Sequence, residues 1–305
     1  MNHRIFITGA TGYVGSAIAA RAARAGHDVH GLTRYLDRAR TLEAMSVKPV
    51  IGDLDDASSW IGVLQNCDVV VHVAFDAEAG GSEADRNALE AFRLSALDGR
   101  VRRVLYTSGA WVHGPSGATP TDENSPLEPL ELVQWRVAHE EIALDLSAHE
   151  VATVILRPGM VYGEGRGILG GWFAEAHEKQ SITYPGDGSQ HWPMVHRDDV
   201  ADAYLLAMEH GKHGDRYLLA DDSRHTVKAL AEAAAAAAGV PAKPWPAKEV
   251  VAAFGLYGRA LLNDAQVTSA RARRELGWVP RHNSFVAEAP QLWREWQEAH
   301  AATVA

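Results

Sequence analysis

Hydrophobic and polar positions alternate between two patterns along the N-terminal third of the chain. Short runs rich in β-branched residues are separated by Ala-rich segments whose apolar positions recur at helical spacing, as in Ser16–Ala25 and Leu89–Ala96. The short runs predict strands, at Ile5–Thr8, Val29–Leu32, Pro49–Ile51, Val69–Val73 and Val104–Thr107. Strands that alternate with helices predict parallel βαβ units with right-handed crossovers.

Two of the apolar runs, Val69–Val71 and Val151–Leu156, show no alternation with polar residues. Uninterrupted apolar runs are typical of strands that helices cover on both faces. The predicted fold class is therefore α/β, with a doubly wound parallel Rossmann sheet. In such a sheet the ligand crevice lies at the carboxyl ends of the strands.

The pattern changes after Arg157-Pro158. Glycine and proline cluster at Gly159–Gly171 and Pro185–Gly188, which predicts loops that can line a pocket. A strand at Arg216–Leu219 is predicted to rejoin the sheet. Helices are predicted at Asp198–His210 and Val227–Gly239, followed by an extended linker at Lys243–Pro246. One or two helices are predicted after the linker, the last of them at Gln291–Ala301.

This organisation predicts two domains. Residues 1–165 form a dinucleotide-binding domain, which residues 192–222 rejoin. Residues 166–191 and 223–305 form a smaller C-terminal substrate domain.

Charge and composition narrow the function classes. The 305 residues carry 29 basic and 39 acidic side chains, so the net charge of −10 disfavours nucleic acid as a partner. No apolar run approaches the ~20 residues of a membrane span, and the N-terminus lacks the apolar region of a signal peptide. The single cysteine excludes an intrachain disulfide. We expect a cytoplasmic protein without a metal site.

The strongest motif is the segment TGATGYVG at positions 8–15, between the first strand and the first helix. Glycines at this spacing permit a tight turn, a close approach of backbone amides to a pyrophosphate, and close packing of helix on strand. The helix N-terminus then presents unpaired N–H groups to the phosphates. The motif predicts a dinucleotide site formed by Gly9, Thr11, Gly12, Tyr13, Val14 and Gly15.

With this turn and several later motifs, the chain resembles the extended short-chain dehydrogenase/reductase family, the epimerase/dehydratase-like group. The later motifs are Gly52-Asp53-Leu54, His72-Val73-Ala74, Tyr106-Thr107-Ser108, Leu156–Gly163, Gly186-Asp187-Gly188, Val195–Ala201 and Ala272–Trp278. The resemblance implies that Asp53 and Leu54 contact the adenine of the cofactor. It also implies a cofactor contact for Val73, Ala74, Thr107, Pro158 and Gly159.

The end of the second strand indicates which cofactor binds. NAD enzymes of this architecture place an acidic residue there, for the ribose 2′-hydroxyl. This chain has Thr33 in that place, followed by Arg34 and, one helical turn on, Arg38. Because guanidinium groups pair with phosphate, we expect NADP rather than NAD.

The resemblance implies a catalytic tyrosine with a lysine four residues on, and a serine that orients the carbonyl. None of the eight tyrosines has a lysine at that spacing. The expected tyrosine, lysine and serine positions hold Leu132, Arg136 and Gly109. Arg136 can bind the nicotinamide ribose or a phosphate, but a guanidinium stays protonated and cannot shuttle a proton.

Substitutes for the missing groups are His113, as a general acid or base, and Tyr162. The alternatives are that His113 is a loop histidine bonded to the backbone and that Tyr162 has a structural role. His139, His191 and His196 are further candidates. Four tryptophans are predicted to face the crevice and contact substrate: Trp111, Trp135, Trp172 and Trp192. Trp192 stands where nucleotide-sugar enzymes of the family carry an arginine, which favours a small uncharged or aromatic ligand.

Three functions remain open. The first is an NADP-dependent reductase or dehydrogenase that acts on a small carbonyl or alcohol other than a nucleotide-sugar. The second is a redox-silent NADP-binding sensor or regulator, and the third is a non-redox isomerase or cyclase that uses the same pocket. The resemblance also implies a possible homodimer, formed by the helices after the fourth and fifth strands.

Overall fold

The computed structural model describes residues 2–75, 81–117 and 119–304. Its strands are β1 (Arg4–Thr8), β2 (Asp28–Thr33), β3 (Lys48–Ile51), β4 (Val69–His72), β5 (Arg103–Thr107), β6 (Ala152–Pro158), β7 (Met160–Tyr162), β8 (Ile182–Pro185), β9 (Met194–His196), β10 (Arg216–Leu219) and β11 (Ala242–Trp245). Its helices are α1 (Tyr13–Arg24), α2 (Leu36–Ala44), α3 (Ile61–Leu64), α4 (Gly81–Asp98), α5 (Gln134–Leu144), α6 (Gly167–Lys179), α7 (Arg197–His210), α8 (Val227–Ala238), α9 (Ala247–Leu261), α10 (Ala270–Leu276) and α11 (Phe285–Val304).

Seven parallel strands form the central sheet, in the order β10-β6-β5-β4-β1-β2-β3. The chain therefore starts in the middle of the sheet, builds β2 and β3 to one side, and then returns past β1 to build the other side. This is the doubly wound topology that the sequence predicts, and β10 occupies the edge position expected for Arg216–Leu219. The point where the winding reverses, between β1 and β4, opens a crevice at the carboxyl ends of the strands.

Helices cover both faces of the sheet. On one face, Ile18 of α1, Leu42 of α2 and Tyr204 of α7 share an apolar cluster with side chains of the strands. On the other face, Leu64 of α3 and Phe92 of α4 share a second cluster. Burial on both faces accounts for the uninterrupted apolar runs of β4 and β6.

A third apolar cluster joins side chains of α6, α8 and α11, and it also contains Trp172 and Trp192. Beside it, β8 pairs in parallel with β11, and β7 pairs in parallel with β9. The prediction of an extended linker at Lys243–Pro246 was wrong in one respect, because most of this segment belongs to β11. The one or two helices predicted after it are three among the described residues, namely α9, α10 and α11.

In the described part of the chain, no helix is both long enough and apolar enough to cross a bilayer.

Candidate active site

The glycine-rich turn joins β1 to α1. Gly9 has a φ of +69°, and its carbonyl accepts the N–H of Gly12 at 2.9 Å. A Cβ on Gly9 would lie 2.7 Å from the Cα of Ala74, and a Cβ on Gly15 would lie 2.1 Å from the Gly9 oxygen. Only glycine fits these two positions, so the turn brings backbone amides and the N-terminus of α1 to the crevice.

A cavity of about 680 Å³ runs along this crevice. It is lined by all the predicted cofactor residues except Pro158 and Gly159, that is by Gly9, Thr11, Gly12, Tyr13, Val14, Gly15, Arg34, Arg38, Asp53, Leu54, Val73, Ala74, Thr107 and Arg136. The lining also includes residues for which the sequence predicted no cofactor contact: Leu32, Thr33, Tyr35, Gly52, Asp55, Phe75 and Ala84. Most of these neighbour a predicted lining residue at a strand end, and that proximity was the available signal.

One end of the cavity is basic and lies beyond β2. Arg34 and Arg38 line it, and the Arg34 guanidinium carbon lies 5.6 Å from the centre of the Tyr35 ring. Thr33 is buried at the strand end, where an acidic residue would contact a ribose 2′-hydroxyl. Its hydroxyl oxygen accepts the N–H of Tyr35 at 3.4 Å.

The opposite end lies beyond β5 and is organised by Arg136. Its guanidinium donates to the carbonyl oxygen of Thr107 at 2.8 Å. The same group lies 4.4 Å from the ring centre of Trp135 and 5.0 Å from that of Phe75. These contacts hold a buried cation at the end of the cavity, and no carboxylate of the described residues forms an ion pair with it.

The residues at the expected catalytic positions supply no phenol. Leu132 lies in the short 3₁₀ turn before α5, and Gly109 follows β5 with only the Pro158 carbonyl within 4 Å of its virtual Cβ. Neither Leu132 nor Gly109 is among the residues that line the cavity.

His113 belongs to a buried hydrogen-bond chain rather than to the cavity lining. Its Nδ1 donates to the Pro126 carbonyl at 3.2 Å, and its Nε2 accepts from Arg157 at 2.9 Å. Arg157 in turn pairs with Glu140 at 2.5 Å. Burial and the Arg157 charge lower the pKa of His113. A neutral ring with both nitrogens engaged favours the structural alternative.

Tyr162 is fully buried between the rings of His196 and Phe285, and burial raises its pKa. Its hydroxyl has no hydrogen-bond partner within the described chain. The Tyr162 side chain therefore packs in the third apolar cluster and does not line the cavity.

The four tryptophans divide into two pairs. Trp172 and Trp192 are 5% and 2% exposed and stack at 5.7 Å in the third apolar cluster, which gives them a packing role. Trp135 is half-buried and stacks on Phe75 at 6.1 Å beside the cavity. Trp111, also half-buried, meets the ring of Tyr257 edge-on at 6.2 Å.

His196, Asp198 and His282 bring potential metal-ligand atoms within 4.8 Å of one another. The two imidazoles, however, stack face to face with their centres 3.6 Å apart. Since ring lone pairs lie in the ring plane, stacked rings do not converge on one ion. His196 instead caps α7 by accepting the N–H of Asp198 at 3.2 Å, and burial lowers its pKa to about 4.

Comparison with known proteins agrees with this geometry. A model of the family described as "NAD dependent epimerase/dehydratase family" matches residues 5–220, which run from β1 to the end of β10. The chain belongs to this epimerase/dehydratase family. Its resemblance to extended short-chain dehydrogenases/reductases is thereby confirmed.

Relatives in the family carry out different reactions. A 4-hydroxy-2-methyl-3-oxo-4-farnesyl-3,4-dihydroquinoline-1-oxide ketoreductase of Stigmatella aurantiaca is 25% identical, over 91% of this chain and 92% of its own. A UDP-glucose 4-epimerase of Mycolicibacterium smegmatis is 28% identical, over 91% and 94%. The structure of a dTDP-glucose 4,6-dehydratase from Streptomyces venezuelae, with NAD bound, has a TM-score of 0.83 at 19% identity and covers 98% of both chains.

Proposed function

We propose that this chain is an NADP-dependent oxidoreductase that acts on a small carbonyl or alcohol other than a nucleotide-sugar. The observation that carries the proposal is the single cavity that joins the glycine turn to a basic end and to a buried arginine. Arg34 and Arg38 line its basic end, and Thr33 leaves no carboxylate to repel a 2′-phosphate.

The residues of the cavity fit a nicotinamide dinucleotide because the turn excludes any Cβ at Gly9 and Gly15. When bound, NADPH supplies a hydride to the substrate carbon. The backbone of the turn and the N-terminus of α1 bind the pyrophosphate, while Arg34 and Arg38 bind the 2′-phosphate. Arg136, fixed by the Thr107 carbonyl and two aromatic rings, positions the ribose at the far end.

Two features support a small substrate. The place of the diphosphate-binding arginine is held by Trp192, which is buried and donates to the Leu261 carbonyl at 3.0 Å. At the far end, Phe75 lines the cavity with an apolar ring that stacks on Trp135. The ketoreductase name of the Stigmatella relative supports reduction of a carbonyl, whereas the epimerase relative represents the chemistry that this proposal excludes.

The cofactor choice is tested with Arg34→Glu. Removing a cation beside the 2′-phosphate and adding an anion should weaken NADPH at least tenfold, that is by about 1.4 kcal/mol or more, and leave NADH within about twofold. Fluorescence titration of both cofactors measures this. Arg40→Glu is the control, since Arg40 lies exposed on the adjoining helix α2 and does not line the cavity. Equal weakening of NADPH and NADH by Arg34→Glu would refute the NADP preference.

The reaction is tested by mixing the protein with NADPH and a panel of aldehydes and ketones, and following the absorbance of the reduced cofactor. Turnover of at least one carbonyl is expected. Tight NADPH binding with no turnover across the panel favours the redox-silent sensor. Conversion of a substrate without a change in cofactor redox state favours the isomerase or cyclase.

A further inference from the structure

The chain lacks the phenol of its family at the expected position, so the proton in the proposed reaction needs another source. Two buried networks of titratable groups lie behind the cavity. The first, Glu140–Arg157–His113, is closed, because both nitrogens of His113 are engaged. The second is centred on Asp85 of α4 and ends in an imidazole with one nitrogen that has no hydrogen-bond partner among the described residues.

Asp85 is 3% exposed and accepts three hydrogen bonds. His72 reaches its Oδ1 at 3.0 Å, while His139 and Tyr106 reach its Oδ2 at 2.7 and 2.9 Å. Burial raises the pKa of this carboxyl, but the charge that His72 carries when protonated, the hydrogen bonds from His139 and His72, and Arg136 together hold that pKa below its usual range. Asp85 is therefore a carboxylate that accepts and does not donate.

The hydrogen bonds around Thr8 define the tautomer of His72. The hydroxyl oxygen of Thr8 accepts the N–H groups of Val73 and Ala74 at 3.3 and 3.4 Å, so its own proton goes to Nδ1 of His72 at 2.7 Å. His72 then donates from Nε2 to Asp85. This network starts at Val73 and Ala74, which line the cavity next to the glycine turn.

His139 closes the network at its other end. Its Nδ1–H donates to Asp85, which leaves Nε2 as the nitrogen that can take up or release a proton. Within the described residues no hydrogen bond reaches Nε2. An imidazole oriented through Nδ1 by a buried carboxylate, with Nε2 open, is the arrangement of an activated general acid or base.

The position of His139 matches this chemistry. It stands three residues after Arg136 on α5, so the two side chains lie on the same helix face. Its ring contacts that of Trp135 edge-on at 4.9 Å, and Trp135 in turn stacks on Phe75 of the cavity lining. Asp85 itself follows Ala84, another lining residue.

We propose that His139, oriented by Asp85, is the proton-transfer group at the Arg136 end of the cavity. This inference rests on the proposed cavity function. In carbonyl reduction the hydride adds to the carbon, the C=O π pair moves to oxygen, and the oxygen takes the Nε2 proton of the His139 imidazolium directly or through one water. Solvent then reprotonates His139, and Asp85 remains a carboxylate throughout.

The first experiment needs no substrate. Imidazole ¹H–¹⁵N spectra of the NADPH-bound protein are recorded between pH 5 and 9, and His139 is assigned by its absence from His139→Asn. We expect an Nδ1–H that is hydrogen-bonded to Asp85 and an unbonded Nε2 that exchanges its proton with solvent. We also expect Asp85→Asn to change the tautomer of His139, whereas the surface control His210→Asn leaves it unchanged. An Nε2 that is hydrogen-bonded or shielded from solvent would overturn the inference, whatever the protein catalyses.

The second experiment uses a carbonyl that the wild type reduces. His139→Asn keeps a donor for Asp85 but cannot titrate, so turnover should fall about a hundredfold or more while NADPH affinity stays within about twofold. Asp85→Asn should lower kcat with little change in KM for the carbonyl, because the imidazole loses the carboxylate that orients its Nδ1–H. His72, Tyr106 and Arg136 also face this site.

Turnover of His139→Asn within threefold of wild type, with the same pH profile, would overturn the inference and leave the reductase proposal intact. If no carbonyl is reduced but Nε2 exchanges with solvent and the tautomer responds to Asp85→Asn, the reductase proposal fails and the proton-transfer group stands for the isomerase alternative. The two failures are thus distinguishable.

Discussion

Buried carboxyl groups in this protein differ in how completely they are paired. Glu140 is matched by Arg157, and Asp85 accepts three hydrogen bonds. Asp221, after β10, is 6% exposed, and only its Oδ1 is bonded, to the N–H of Ser223 at 2.8 Å. Its Oδ2 has no partner among the described residues, and the adjoining cavity of about 10 Å³ holds at most a single water. Ionised Asp221 therefore destabilises the fold.

The prediction for Asp221 concerns stability against pH. Burial raises its pKa to about 6, so the folded state binds this proton more tightly than the unfolded chain does. The contribution to stability is present at low pH and is lost as the pH rises from about 4 to about 6. The free energy of unfolding of Asp221→Asn minus that of wild type should therefore be up to about 3 kcal/mol larger above pH 7 than at pH 4. Chemical denaturation of both proteins at several pH values measures this.

Asp187→Asn is the control for that experiment. Asp187 is exposed, and hydrogen bonds from Ser189 lower its pKa, so its linkage has the opposite sign. Stability curves of wild type and Asp221→Asn that run parallel from pH 4 to 8 would contradict the prediction.

Among the elements, those with a strong local pattern could be predicted from the sequence. The strand runs and the helices at Asp198–His210 and Val227–Gly239 needed only periodicity and end signals such as Gly239, and the structure has them within a residue or so. The glycine turn was equally predictable, because its spacing encodes a backbone conformation rather than a distant contact.

What the sequence did not predict depends on long-range contacts. Pro244 lies in a strand because β8, some sixty residues earlier, pairs with it, and no local signal encodes that partner. Trp192 resembles a pocket residue locally, but Trp172 and the Leu261 carbonyl bury it. His139 was one histidine among several candidates until folding brought Asp85 of another helix to its Nδ1.

The β1–α1 turn gives an element-level prediction. Gly15→Ala would put a Cβ 2.1 Å from the Gly9 carbonyl oxygen, which forces α1 away from β1. We expect NADPH affinity to fall at least tenfold and the free energy of unfolding to fall by about 1–3 kcal/mol. Calorimetric titration and thermal unfolding measure the two effects.

Gly171→Ala is the matched control, since Gly171 lies within α6 and nothing stands within 4 Å of its virtual Cβ. Alanine there should stabilise the helix by about 0.5–1 kcal/mol and leave NADPH affinity unchanged. Normal NADPH affinity in Gly15→Ala would show that the turn does not hold the pyrophosphate.

For the whole molecule, α4 and α5 expose three large apolar side chains on their outer surface. Leu94 and Leu97 of α4 are 42% and 54% exposed, and Ile142 of α5 is 38% exposed. The two leucines are three residues apart and so share one helix face. These helices follow β4 and β5, the position where the sequence resemblance implies a dimer contact.

We therefore predict a two-fold symmetric homodimer in which α4 and α5 of each protomer pack against those of the other. In such an interface each residue occurs twice, so Leu97→Arg introduces two cations into an apolar contact. Light scattering after size exclusion should give twice the monomer mass for wild type and the monomer mass for Leu97→Arg. The control is Leu127→Arg, an exposed leucine outside α4 and α5, which should stay dimeric. A wild type that is monomeric at all concentrations, or equal dissociation by both variants, would contradict this interface and leave the α4–α5 leucines as ordinary surface residues.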